Sequence, residues 1–349
     1  MKLLKSSILL LAACCLGACT EESPVTNPPK TPAEPEVFDN SGFAKGADVS
    51  WLTQLESEGV TFTDAAGNAT ECMRLLRDQC GVNSIRLRVW VNPAEGWNNI
   101  DDVMLKARRA AALNQRLMID FHFSDTWADP GSQATPAAWA DYDLDGLKTA
   151  VADHVTAMLS RLQAQGITPE WVQIGNETRG GMLYPIGSID DPAAFTALVN
   201  AGYDAVKAIF PEALVIVHLD SGDKEWIYDR IFGALADNGG KYDIIGMSLY
   251  PYADSYEATV DACLANIKRL NAAYGKRLMI CEVGMDYDKA VEADLMMRRL
   301  YAGCVESGVV DGIFYWEPEA PAGYNGGYNK GCFADGTPTQ ALDVFKAAN

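Results

Sequence analysis

Trp171-Val172-Gln173-Ile174-Gly175-Asn176-Glu177 is an apolar run that turns polar at its end, and the same design recurs along the chain. Strand-like runs of this kind cover residues 46–50, 84–91, 116–123, 170–176, 214–220, 244–250, 277–282 and 312–316. Helix-like stretches lie between or after them at 101–114, 145–165, 192–210, 256–274, 291–307 and 340–347. Eight strands interleaved with helices predict an α/β chain closed into a (β/α)8 barrel rather than an open doubly wound sheet. No GxGxxG turn follows the first strand, which argues against a nucleotide-binding sheet. In a barrel of this kind the chemistry sits at the C-terminal ends of the strands. The chain puts polar and aromatic residues there: Asp48 and Trp51, Arg88 and Trp90, His122 and Asp125, Asn176 and Glu177, His218 and Asp220, Tyr250, Glu282, and Trp316 with Glu317.

The bulk numbers set outer limits. The chain has 349 residues, is 48% apolar and carries a net charge of −19, so it is an ordinary globular protein poorly suited to nucleic acid or an anionic membrane. Eight tryptophans and fourteen tyrosines offer flat apolar faces with polar edges, which suit sugar rings. Residues 1–18 read as a signal: Lys2 and Lys5 precede a short apolar stretch from Ile8 to Leu16, too short to span a bilayer. The stretch ends in Leu16-Gly17-Ala18-Cys19, which resembles a bacterial lipobox, so Cys19 is the expected lipidation site. The expected location is the outer membrane or surface of a Gram-negative cell, with the lipid as the only membrane contact. Residues 19–41 hold five prolines and read as a tether, leaving residues 42–349 as a single catalytic domain expected to work as a monomer. Beyond Cys19 six cysteines remain. Cys72 and Cys80 are too far apart along one helix to pair, and no CxxC or Cys/His cluster suggests zinc, so buried free thiols are the default.

Two strand-end carboxylates, Glu177 and Glu282, point to acid/base and nucleophilic chemistry on a sugar acetal. A helix-capping acid and a buried ion-pair acid are the plainer readings of the two. Asn176 beside Glu177, and the apolar run before Glu282, favour the catalytic one. His122 and His218 fall at strand ends where they can donate to sugar hydroxyls or to a carboxylate, whereas His154, mid-helix, reads as surface. Asp125, Trp127, Asp129 and Trp90 either bind sugar or shape their loops.

These stretches together resemble glycoside hydrolase family 53, within the large clan that carries an Asn-Glu pair on strand four and a glutamate on strand seven. The matching segments include Gly46-Ala47-Asp48-Val49-Ser50-Trp51, Asn83 to Pro93, Gln173 to Glu177, Tyr250-Pro251-Tyr252, Cys281-Glu282-Val283-Gly284 and Tyr315-Trp316-Glu317-Pro318. The most specific is Phe121-His122-Phe123-Ser124-Asp125-Thr126-Trp127-Ala128-Asp129-Pro130. The resemblance implies a retaining endo-β-1,4-galactanase acting on β-1,4-galactan or galacto-oligosaccharides, without a cofactor. It implies Glu177 as acid/base, Glu282 as nucleophile, Asn176 on the sugar 2-hydroxyl and Arg88 orienting the nucleophile. Tyr250 would bond Glu282, and Trp316 would floor the subsite of the reacting sugar. Many bacterial members hold calcium after strand seven. Here Gly284-Met285-Asp286-Tyr287-Asp288-Lys289 offers two acids beside a lysine, a poor cage for a hard cation, so no metal is expected. Ser221 stands where the family more often has Asn. The competing readings are another β-glycanase of the clan, such as a mannanase or xylanase, and a non-catalytic surface glycan-binding lipoprotein. The paired carboxylates argue against the binder.

Overall fold

The computed structural model describes residues 38–346. The expected signal, Cys19 and most of the tether lie outside the described residues. Eight parallel strands close a barrel in sequence order: β1 (Ala44–Asp48), β2 (Ser84–Val89), β3 (Arg116–Phe121), β4 (Trp171–Ile174), β5 (Leu214–Leu219), β6 (Ile244–Leu249), β7 (Arg277–Val283) and β8 (Val310–Trp316), with β8 pairing back onto β1. Each of the eight lies within a few residues of its sequence-predicted run.

Around the barrel stand α1 (Leu52–Ser57), α2 (Cys72–Cys80), α3 (Ile100–Ala112), α4 (Leu144–Gln163), α5 (Pro192–Ile209), α6 (Glu225–Asp237), α7 (Tyr256–Tyr274) and α8 (Ala290–Ser307). Their starts follow local chemistry. The carboxylates of Glu71, Asp143 and Asp191 and the amide of Asn99 accept the free backbone N–H groups opening α2, α4, α5 and α3. Helices α1 and α6 are absent from the sequence candidates, whereas α2 is the helix on which the sequence reading places Cys72 and Cys80. Helix α2 carries Cys72 and Cys80 at its two ends, and the six described cysteines are all free and buried. No helix among the described residues is long and apolar enough to cross a membrane.

The large core lies between strands and helices, and a separate apolar plug fills the barrel's lower interior: Ala44, Met118, Trp171, Ile216, Ile244, Met279, Cys281 and Phe314. Gly46 makes room for this plug, since a Cβ there would meet the Phe314 ring at 2.2 Å. Two to four residues further along the strands, on the same inward face, the plug gives way to a polar layer of Asp48, Arg86, Asp120, Gln173, His218 and Ser248, all fully buried. Strict alternation from Met279 and Cys281 would turn Glu282 outward. The β6–β7 pairing instead skips a residue, passing from Met247–Ile280 to Ser248–Glu282. This irregularity turns Glu282 into the barrel beside Cys281.

Candidate active site

The polar layer is organised by one arginine. Arg86 sends Nη1 to Asp48 (2.7 Å) and Glu282 (3.0 Å), and Nη2 to Asp120 (2.8 Å) and the Asn176 Oδ1 (3.0 Å). Its side chain is 1% exposed, so these contacts are screened little by water. The arginine that orients Glu282 is therefore Arg86, and the expectation for Arg88 is corrected. Both point inward, but Arg88 lies one layer higher, where it pairs with Glu317. Its guanidinium there sits over the rings of Trp127 (4.5 Å), Trp51 (5.1 Å) and Trp90 (5.3 Å). Arg88 thus braces the aromatic wall and leaves Glu282 to Arg86.

The two carboxylates sit in unlike surroundings. Burial pushes Glu282 up, but Arg86 and a 2.8 Å hydrogen bond from the Tyr250 hydroxyl oppose the rise. Burial, and after it the Glu282 charge, push Glu177 well above the usual carboxylate range, with only a hydrogen bond from Ser248 opposing. Among the described residues no guanidinium pairs with Glu177 in this way. Of the two, Glu177 is pushed up further and keeps a proton the more readily, whereas Arg86 favours the charged form of Glu282. The backbone supports the placement: Gly175 (φ 78°) and Glu177 (φ 47°) both adopt left-handed conformations, ending β4 abruptly. A Cβ at Gly175 would meet Thr178 at 2.6 Å, so glycine is required on both counts. A non-glycine residue held at positive φ is a strained arrangement of the kind found at functional sites.

Neutral groups complete the layer. The Nδ1 of His122 accepts from the Trp90 indole (3.2 Å) and the Ala128 N–H (3.3 Å), which puts its proton on Nε2, facing Asp120 at 3.0 Å. Asp120 is held below its usual range by the Arg86 charge and its hydrogen bond with His122, in spite of its burial. His218 is fully buried, and burial drives its imidazole well below the usual range, so it is neutral. It lies between Asn176 (2.9 Å) and Ser248 (2.8 Å). The Asn176 amide donates to the Ala128 carbonyl at 2.8 Å and faces the cleft with its oxygen already engaged.

Above this layer opens a cleft of about 440 Å³, lined among others by Glu177, Glu282, Asn176, His122, Tyr250, Trp127 and Trp316. These seven expected residues come together. Trp51 and Asp129 line it too, and the other expected residues support it from outside the lining. Asp48 is buried on Arg86, and His218 lies beneath Asn176. Trp90 holds His122, and Asp125 accepts the N–H groups of Asn92 and Ala137 to shape its loop. Trp51 fills the wall between Trp127 (5.6 Å) and Trp316 (5.3 Å). His154 is corrected from surface to core, where it meets Phe121, Phe123 and Trp139.

Several residues escaped the sequence reading. Arg86 carried a signal, since Ser84, Arg86 and Arg88 alternate on one face of β2, but which layer faces Glu282 depends on register. Gln173, whose amide bridges Asp120 (2.6 Å) and Asn176 (3.0 Å), looked like one polar residue in an apolar strand. Asn325, Tyr328, Asn329 and Lys330 reach the cleft from the loop after β8 and carried no signal. Asp286, in the loop where relatives of the resembled family bind calcium, is paired with Lys330 at 2.7 Å. No cluster of three His, Cys, Asp or Glu side chains suited to a metal occurs among the described residues.

Comparison with known proteins agrees with this geometry. The model of the family described as "Glycosyl hydrolase family 53" matches residues 44–299. A probable arabinogalactan endo-beta-1,4-galactanase A of Aspergillus terreus is 32% identical, over 78% of this chain and 85% of its own. The arabinogalactan endo-beta-1,4-galactanase A of Emericella nidulans is 30% identical, over 86% and 93%. Among solved structures, a fungal beta-1,4-galactanase superposes with a TM-score of 0.80 at 29% identity, covering 86% of this chain and 98% of its own. The family 53 catalytic domain of Ignisphaera aggregans gives 0.79 at 28%, covering 87% and 96%. A xylanase of Thermobacillus composti, at 16% identity and a TM-score of 0.59, shares the fold alone. With the family model spanning most of the barrel and its two carboxylates meeting in one cleft, the chain belongs to glycosyl hydrolase family 53 and is a glycoside hydrolase.

Proposed function

We propose that the protein is a retaining endo-β-1,4-galactanase whose substrate is β-1,4-galactan, the side chains of type I arabinogalactan in pectin. The observation that carries the reading is the unequal surroundings of the two cleft carboxylates, with Arg86 and Tyr250 on Glu282 alone. Glu282 is held as an anion by Arg86 and Tyr250, as a nucleophile must be. Glu177 keeps its proton, as the acid for a departing glycosidic oxygen must. The names of the curated relatives supply the sugar.

In the first step Glu282 attacks the anomeric carbon and forms a glycosyl ester, while Glu177 protonates the leaving oxygen. In the second, Glu177 takes a proton from water, which releases the sugar with its configuration retained. Trp316 lies where an indole can stack on the reacting ring, and the free N–H of Asn176 is available to its 2-hydroxyl. We further propose that the chain is exported and anchored through Cys19, on the strength of the Leu16-Gly17-Ala18-Cys19 sequence.

The test is incubation with galactan beside mannan and xylan, for wild type and Glu282→Ala, with the first anomer released followed by proton NMR. The expected result is cleavage of galactan alone, release of the β-anomer, and loss of activity in the variant. Initial release of the α-anomer refutes retention. Preference for mannan or xylan refutes the substrate.

A further inference from the structure

The loop after β3 has two sides. Trp127 and Asp129 line the cleft, whereas Trp139 and Tyr142 line a separate cavity of about 740 Å³, where α3 and α4 begin. The two linings share no residue. Asp125 ties the sides together, since its carboxylate accepts the N–H of Asn92 in the cavity wall and of Ala137, two residues before Trp139. The Tyr142 N–H donates to the Trp139 carbonyl at 3.0 Å, so one turn carries both rings.

We propose that this cavity is a second binding site for a neutral galactan chain, which holds the polymer outside the cleft through Tyr142, Asp153 and His154. The identity of the ligand rests on the galactanase reading above. Tyr142 is 44% exposed and offers an aromatic face to the apolar side of a sugar ring. Gly146 leaves room for it, since a Cβ there would meet the Tyr142 Cβ at 2.9 Å. His154, 9% exposed, lies edge to face with Trp139 at 6.0 Å, and its Nε2 has no hydrogen-bond partner. A buried polar atom left without a partner marks an unfinished site. A sugar hydroxyl can complete it whichever ring nitrogen carries the proton, because a hydroxyl both donates and accepts. Asp145 and Asp153 add carboxylates on α4, and Lys148 pairs with Asp145 at 2.9 Å, so Asp153 is the acceptor left for a second hydroxyl. The residual negative charge, on a chain of net charge −19, repels a polyuronate and admits a neutral glycan. A polymer docked here keeps its further segments at high local concentration beside the cleft, which an oligosaccharide consumed within the cleft cannot exploit.

The experiment places Tyr142→Ala, Asp153→Ala and His154→Phe in the inactive Glu282→Ala protein and measures retardation in native gels containing galactan or polygalacturonate. The same three substitutions in the active enzyme are assayed on galactan and on galactotetraose, with thermal melting as the check on folding. Tyr142 and Asp153 are exposed, so their variants report on binding even if His154→Phe loosens the fold. The expected result is a loss of roughly threefold or more in galactan affinity, and a matching rise in KM on galactan, with kcat/KM on galactotetraose unchanged. Polygalacturonate should retard none of the proteins. Galactan retardation that Tyr142→Ala leaves undiminished overturns the site. Equal losses on galactan and galactotetraose overturn it as well, by placing these residues in support of the cleft. Both outcomes leave the galactanase reading standing. A wild type that does not cleave galactan removes that reading instead, and the galactan gels still decide the site.

Discussion

Replacing Arg86 by lysine separates the two arginines of β2 most sharply. The substitution keeps the positive charge but loses the planar fork that serves Asp48, Glu282, Asp120 and Asn176 together. A single ammonium cannot reach all four, and the shorter side chain withdraws toward Asp48 or Asp120. Moving the charge from the observed 3.0 Å to about 5 Å from Glu282 weakens their attraction by about 2 kcal/mol at an effective dielectric of about 20. That converts to a rise of roughly 1.5 units in the Glu282 pKa. Because Glu282 must be ionised to attack in the proposed mechanism, the acidic limb of the kcat/KM profile should move upward by one to two pH units. The maximal rate should fall by ~100-fold from the misplaced nucleophile. Arg88→Lys is the control, since Arg88 pairs with Glu317 and touches the tryptophan wall. It should lower the melting temperature and leave the acidic limb in place. The assay is the pH dependence of kcat/KM on galactan for wild type and both variants. An acidic limb that moves with Arg88→Lys and stays put with Arg86→Lys refutes the assignment.

Two further expectations concern stability. Burial pushes the His154 imidazole down to about 4 from an ordinary value of 6.5, so the folded protein resists a proton that the unfolded chain accepts. Stability is fully present above the unfolded value and declines as pH falls from 6.5 toward 4, by roughly 3 kcal/mol in all. Denaturant unfolding at pH 7 and pH 4.5 should show that slope in wild type and its reduction in His154→Phe; an equal slope in both removes His154 as its source. Gly46→Ala drives a Cβ to within 2.2 Å of the Phe314 ring inside a closed barrel, which should lower stability by about 1–3 kcal/mol. Adding Phe314→Leu should recover part of that loss in a double-mutant cycle, and purely additive effects would show that the two do not meet.

The barrel was legible because its strands are buried on both faces and read as apolar runs, while α4, α5 and α7 each extend for four turns or more. The short helices were not, since α1 has only six residues and gathers little periodic signal. The ends of the strands exposed Glu177, Glu282, Tyr250 and Trp316, because polar residues there interrupt an apolar pattern. Layering inside the barrel was hidden. Whether Arg86 or Arg88 reaches Glu282 follows from the β1–β2 and β2–β3 registers, and no strand states its own register. The inward aim of Glu282 depends on the skipped pairing after Met247, which strict alternation would have predicted wrongly. Asn325, Asn329 and Lys330 come to the cleft through a loop whose path is set by tertiary contacts, such as the Tyr328 hydroxyl on the Trp316 carbonyl at 2.6 Å.

In the proposed mechanism one residue serves first as acid and then as base, and the polar layer supplies a physical reason for that exchange. Around Arg86 stand three carboxylates, Asp48, Asp120 and Glu282, against a single guanidinium. A fourth negative charge on Glu177 would face this excess from a partly desolvated position, which favours the proton on Glu177 over Glu282. In the proposed mechanism Glu282 becomes a neutral ester in the first step. That removes the largest charge acting to raise Glu177, just when Glu177 has given its proton to the leaving sugar. Its pKa must then fall, leaving Glu177 as the carboxylate that can accept a proton from water. Hydrolysis of the ester restores the Glu282 charge and with it the pressure on Glu177 to take up a proton. Burial alone would raise Glu177 equally at every stage and could not produce this alternation. The exchange of roles therefore comes from the coupling between the two glutamates, and Arg86 makes it one-sided by favouring the charge on Glu282.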